Sequence, residues 1–112
     1  MDVDGATVTA TLLENATSRD FAALLPLTLT LEDYAATEKI SDLPRKLSTR
    51  GAPAGIDPDI GDITYYTPWG NLAIFIKDLG YSRGLVKLAR IESGLKALQR
   101  RGALAVKTQL VE

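Results

Sequence analysis

The sequence predicts a mainly β fold: a closed or nearly closed antiparallel β-barrel carrying two short α-helices. Three observations predict it. Apolar residues recur at every second position in several short runs, threonine and other polar residues fill the alternate places, and turn signals separate the runs about every 8 to 15 residues. Closure into a barrel removes the exposed edges that so many short strands would otherwise leave, and a two-sheet sandwich is the alternative. The 112 residues are enough for one core and too few for two, so residues 1–112 are expected to form one domain.

Each element has its own signal. Asp4-Gly5 reads as a type I′ turn, and Val8, Ala10 and Leu12 alternate with Thr7, Thr9 and Thr11, so the fold opens with a hairpin or strand pair. Thr17 offers a helix cap with Asp20 three residues on, and Phe21, Leu24 and Leu25 share one face of a helix that must end before Pro26. Leu27, Leu29 and Leu31 alternate with Thr28 and Thr30, a half-buried strand. Residues 48–62 read as a surface loop. Ile63 to Tyr66 and Leu72 to Ile76 flank Thr67-Pro68-Trp69-Gly70-Asn71 as a hairpin. Leu85 to Ile91 is a further strand. Ser93 is placed to cap a helix over 94–101 with Leu95 and Leu98 inward and Gly102 just past its end, and Val106, Thr108 and Leu110 alternate with Lys107, Gln109 and Val111 in a closing strand.

Composition excludes several functions. Thirteen Lys and Arg against fourteen Asp and Glu leave a net charge of -1, without the basic field that nucleic-acid binding needs. With no histidine and no cysteine, the usual zinc, copper and haem ligand sets, thiol nucleophiles, Ser-His-Asp triads and disulfides are absent. No metal or cofactor is expected: Glu32-Asp33 and Asp57-Pro58-Asp59 lack the spacing of a metal loop. No apolar run approaches a membrane span, so no membrane partner is expected and the location reads as cytoplasmic, or exported if a leader has been removed. Charge is uneven, with the acids concentrated in residues 1–44 and the bases in 77–107, a dipole able to steer a charged ligand.

The order of elements resembles the cyclophilin-like β-barrel, and most closely the small prokaryotic members that lack the long eukaryotic loops. The resemblance spans nearly the whole chain. It rests on Thr17-Ser18-Arg19-Asp20-Phe21-Ala22-Ala23-Leu24, on Gly61-Asp62-Ile63-Thr64-Tyr65-Tyr66 running through Pro68-Trp69-Gly70-Asn71 into Leu72-Ala73-Ile74-Phe75, and on the stretch from Gly84 to Gly94. The resemblance implies prolyl isomerisation only if the site is intact. True cyclophilins use a Phe-His-Arg tripeptide whose arginine weakens the partial double bond of the proline amide; a chain without histidine has no such tripeptide. The family's glutamine and the aromatic two residues later fall on Leu72 and Ile74, leaving a displaced Arg45 or Arg50 as the route to a non-standard isomerase.

The expected function is therefore a non-catalytic barrel that binds a small molecule or peptide in a surface cleft bordered by Glu38, Lys39, Arg45, Tyr66, Trp69 and Asn71. Tyr66 and Trp69 supply aromatic surface with polar tips. Tyr65 and Tyr66, as neighbours on a strand, must point to opposite faces, so at most one joins the cleft. Glu38 and Lys39 are expected in a loop at the barrel mouth, a carboxylate and an ammonium facing a polar ligand. Asn71 most simply serves its own turn. The alternatives are the isomerase and an interaction module in which the Trp69 hairpin docks a partner, the chain being a monomer or weak homodimer.

Overall fold

The computed structural model describes residues 1–111. In chain order its elements are β1 (Asp2–Val3), β2 (Ala6–Thr7), β3 (Thr9–Leu12), α1 (Ala16–Ala22), β4 (Leu27–Tyr34), β5 (Glu38–Asp42), β6 (Gly55–Ile56), β7 (Asp62–Tyr66), β8 (Asn71–Phe75), β9 (Ser82–Arg83), β10 (Leu85–Ser93), α2 (Leu95–Leu98) and β11 (Leu104–Thr108). One antiparallel sheet runs β2-β1-β11-β4-β5-β8-β7-β10-β3, and β6 pairs with β9 in a separate ribbon. β2 and β3, at the two ends of that order, are separated in the chain by Val8 alone, so one stretch of chain supplies both and the sheet curls into a nearly closed barrel.

The first hairpin turns as its sequence predicts, with Asp4 and Gly5 at φ 49° and 89°, the two positive values that a type I′ turn needs. Helix α1 differs at its start. Its cap is Asn15, whose side chain accepts from Ser18 N at 2.7 Å and donates from Nδ2 to the Lys87 carbonyl at 3.1 Å; Thr17 lies inside the first turn, buried. The longer amide side chain presents an acceptor to the helix and a donor to β10 at once, tying the helix start to that strand. Helix α2 is a single turn rather than the longer helix expected. Ser93 stays in β10 and its hydroxyl lies 2.6 Å from that of Thr9, so it caps nothing, and the N-cap is Gly94 at φ 89° with no side-chain bond. A Cβ on Gly94 would approach the Thr7 carbonyl oxygen to 2.5 Å, so the close crossing of β2 demands glycine there.

Alternation sorts the strand residues. Leu29 and Leu31, Ile63 and Tyr65, Leu72 and Ile74, Val86 and Leu88, and Leu104 and Val106 fill the interior, with Phe21 and Leu98 entering from the helices. On the opposite face Ala73, Phe75 and Leu85 form a second, smaller cluster with Ile40, Ile56 and Tyr66. Ala10 and Leu110 break the pattern: each shares parity with buried residues, Val8 and Val106, yet both are exposed.

The stretch holding Glu38 and Lys39 is strand β5, paired with β4 on one side and β8 on the other, and not a loop at the barrel mouth. The turn before it carries no sequence signal, because Ala35-Ala36 has neither glycine nor asparagine, although both alanines adopt positive φ, 53° and 56°. Lys39 points inward and is fully buried. Its Nζ pairs with Asp33 Oδ1 at 2.6 Å and donates to the carbonyls of Arg100 and Gly102, while Asp33 Oδ2 accepts from Gly102 N at 2.7 Å. All three ammonium donors are thereby used, and β4, β5 and the segment entering β11 are joined. The hydrogen bond from Lys39, followed by that from the Gly102 amide, holds the Asp33 carboxyl below its ordinary pKa. A carboxyl depressed in the folded state stabilises above its unfolded pKa and loses that contribution as pH falls through the folded value.

Urea denaturation reads the network in three ways. Lys39→Met keeps the stem's packing but strands two carbonyls, and at neutral pH is expected to cost about 2–4 kcal/mol. The wild-type midpoint falls as pH drops below about 4, and Asp33→Asn is less stable than wild type at neutral pH with a shallower acid dependence. A neutral effect of Lys39→Met would contradict the role given to the network.

Candidate functional site

The outward face of the hairpin β7–β8 and of its neighbours carries the candidate site. Tyr65 and Tyr66 do point to opposite faces. Tyr65 lies in the core with its hydroxyl accepting from Leu47 N at 3.1 Å, and Tyr66 lies outside. At the hairpin turn Gly70 takes φ 67° and donates its N–H to the Tyr66 carbonyl at 2.9 Å, which folds Trp69 back beside Tyr66. The two rings meet edge to face with centroids 5.4 Å apart at 85°, and Tyr34 meets Trp69 from the other side at 5.4 Å and 81°. Trp69 stands at the centre of this triad, 56% exposed, with Tyr34 43% exposed. Edge-to-face packing leaves ring faces, where the π electron density lies, available to a ligand.

Tyr34 was not among the residues singled out from sequence. Its signal was parity: Thr28, Thr30, Glu32 and Tyr34 share the outer face of β4, and recognising β5 as its partner would have set Tyr34 opposite Glu38. The positive-φ alanines Ala35 and Ala36 hold this turn at a cost of about 1–2 kcal/mol per residue, so backbone strain lies beside the aromatic triad.

Glu38 pairs in register with Tyr34 and with Phe75, on the outward side. It is partly buried, burial raises its carboxyl pKa above the ordinary value, and among the described residues it forms no ion pair. Asn71 does not form the left-handed corner of its turn; Gly70 does. It begins β8 opposite Tyr66 and Asp42, is 3% exposed, and its Oδ1 has no hydrogen-bond partner. On this face Glu38 supplies a carboxylate acceptor, Tyr34 and Tyr66 phenol groups that donate and accept, and Trp69 an indole donor, while the Asn71 amide oxygen is buried.

Two residues expected in the cleft are engaged elsewhere. Lys39, expected beside Glu38 and exposed, is on the opposite face of β5 inside the barrel, because consecutive strand residues alternate. Arg45 is clamped to Asp20 of α1 by two hydrogen bonds, 2.9 and 3.1 Å, and Asp20 also accepts from Ser48 N at 2.7 Å. The Arg45 hydrogen bonds, with that from Ser48, lower the Asp20 pKa, and Asp20 raises that of Arg45. This clamp fastens the loop after β5 to the helix. Arg50 lines a small cavity of about 220 Å³ with Asn15, Thr17 and Lys87. Leu72 and Ile74 are interior residues of β8 and reach no surface. A larger groove of about 740 Å³ lies apart from the aromatic triad, between β3 and the end of β11.

The chain belongs to the cyclophilin-like family, whose model matches residues 1–109. Among curated proteins, no sequence matches it. No helix among the described residues is long and apolar enough to cross a membrane.

An unpaired, partly buried carboxylate works against folding, which makes Glu38 a candidate functional position. With its folded pKa above its unfolded one, Glu38 favours the folded state in acid and loses that contribution as pH rises through the folded value. Glu38→Gln is therefore expected to melt higher than wild type at neutral pH, with the difference vanishing in acid. A lower neutral melting temperature for the variant would mean that the carboxylate has a stabilising partner.

Proposed function

We propose that this cyclophilin-like barrel is a non-catalytic binding protein whose outer face takes a small molecule or peptide side chain bearing a cationic or hydrogen-bond-donating group. Trp69, Tyr66 and Tyr34 supply π surface and Glu38 the charge, and Asn71, buried at the start of β8, supports the hairpin from below the surface. One observation carries the reading: the carboxylate of Glu38 is partly desolvated and unpaired on the face where three aromatic rings meet edge to face. The charge on this face is the Glu38 carboxylate set among ring faces, which attracts a cation and repels an anion. Cation–π contact is worth about 0.5–2 kcal/mol, rising as water is excluded, so several rings and a carboxylate together give a usable but modest affinity. Lys39 and Arg45 contribute by holding the barrel and its loop, not by touching the ligand.

The isomerase alternative needs an arginine at a proline amide; Arg45 is spent on Asp20. The chain's single tryptophan is Trp69, so its fluorescence reports on the site directly. Titration with tetramethylammonium, arginine amide and acetate is expected to perturb emission for the two cations only. Trp69→Ala, followed by chemical-shift mapping, is expected to weaken arginine amide binding about five- to thirty-fold, the equivalent of about 1–2 kcal/mol. Absence of any shift near Tyr34, Tyr66 and Trp69 would sink the reading. So would catalysis in a protease-coupled proline-peptide assay that is lost in Arg45→Ala or Arg50→Ala, or a dimer abolished by Trp69→Ala in light scattering.

A further inference from the structure

We propose that the cavity beneath the loop joining β5 to β6 binds a small organic monocarboxylate, a ligand of opposite charge to the one proposed for the Trp69 face. The loop is fixed at both ends. Near its start Asp20 of α1 holds the Arg45 side chain and accepts from Ser48 N at 2.7 Å. At its end Gly55 and Ile56 of β6 pair with Arg83 and Ser82 of β9, and the Ala54 carbonyl accepts from Gly84 N at 2.8 Å. A Cβ on Gly55 would collide with the Ser82 carbonyl oxygen, so glycine is what lets this ribbon close. Between the two anchors Ala52 N donates to the Thr49 carbonyl at 3.0 Å, and Gly51 takes φ 75°. Residues 50–53 are thereby held opposite the start of α1 and the Val86-Lys87 stretch of β10, across a cavity of about 220 Å³. A pocket whose walls are anchored before the ligand arrives loses little freedom on binding.

Size and lining select the body of the ligand. A protein cavity of about 150 Å³ admits benzene, so this one has room for a body of that size carrying a small polar group. Ala52, Pro53, Ile56 and Val86 give it apolar walls. Val86 belongs to the barrel core, and Thr17, which also lines the cavity, is 1% exposed, so the space reaches below the surface. The Asn15 amide already bonds Ser18 N and the Lys87 carbonyl.

Charge selects the head group. The charged residues lining the cavity, Arg50 and Lys87, are both basic. Lys87 Nζ lies 3.0 Å from Asp62 Oδ1, so its charge is met, whereas Arg50 forms no ion pair among the described residues. One uncompensated cation calls for one negative charge. A guanidinium is a planar fork that matches a carboxylate with two parallel hydrogen bonds, and such bonds strengthen where apolar walls exclude water. An organic cation would meet two like charges, and inorganic phosphate has no apolar part to set against the walls.

The test titrates the 112-residue chain with benzoate, benzylammonium and inorganic phosphate, followed by backbone amide chemical shifts. Benzoate is expected to shift the Gly51, Ala52, Ile56 and Val86 amides saturably, and benzylammonium, of nearly the same shape, to leave them unchanged. Arg50 is exposed and holds no ion pair that folding needs, so Arg50→Gln is expected to fold and to bind benzoate about tenfold more weakly. Arg50→Lys, which keeps the charge without the fork, is expected to fall between the two. Absence of a saturable shift at these amides with benzoate would overturn the proposal, as would an equal response to benzylammonium or an Arg50→Gln affinity equal to that of wild type. Phosphate binding at the same amides as tightly as benzoate would also overturn it, because the site would then read charge alone.

Discussion

Closure of an alternating sheet is the constraint on which the rest depends. Once β2 and β3 join the two ends of the sheet order, every strand residue is either inside or outside, and adjacent residues cannot share a site. Glu38 and Lys39 are separated in this way, as are Tyr65 and Tyr66. The interior of so small a barrel is filled by side chains, and recognition chemistry is thereby confined to the outer face and to places where the wall is interrupted. The aromatic triad lies on that outer face.

Lys39 is the exception that keeps the interior consistent. An unpaired ammonium at that depth would be intolerable, yet this one meets a carboxylate and two carbonyls in a region where the chain turns from α2 into β11. The last carbonyls after a short helix need donors, and the lysine supplies them from across the barrel. The same contacts draw the positive-φ turn of Ala35 and Ala36 into place, since Asp33 and Lys39 are register partners on either side of it. Structural charge inside therefore helps to fix Tyr34 and Glu38 outside.

Much of this was legible in the sequence, and the failures have physical causes. Leu27 to Leu31, Ile63 to Phe75 and Leu85 to Ile91 announce themselves by alternation and by glycine and proline at their turns, and they set the fold. β5 was hidden because an alanine pair makes its turn and because a fully buried lysine reads as solvent-exposed. Missing β5 removed Tyr34 from view and wrongly set Lys39 beside Glu38. Trp69, Tyr66 and Asn71 share the outer side because one hairpin with an aromatic turn fixes them locally, whereas Glu38 joins them on β5 through its pairing with Phe75. Arg45 could not be read correctly, since its partner Asp20 is distant in the chain and only tertiary structure brings them together. Ala10 and Leu110 fail for a similar reason: alternation predicts burial there, and only the strand order shows that no described strand lies beside them.

The most direct measurement is residue-resolved hydrogen exchange of the free protein along residues 8–13. Among the described strands β3 is bonded only to β10, and parity then predicts alternation in this chain: Thr11 and Leu13, bonded toward β10, exchange slowly, while Ala10 and Leu12 exchange nearly as fast as an unstructured chain. Uniform protection of all four amides would contradict the account, because it would mean that the barrel is closed by another strand and that parity does not divide this wall as described.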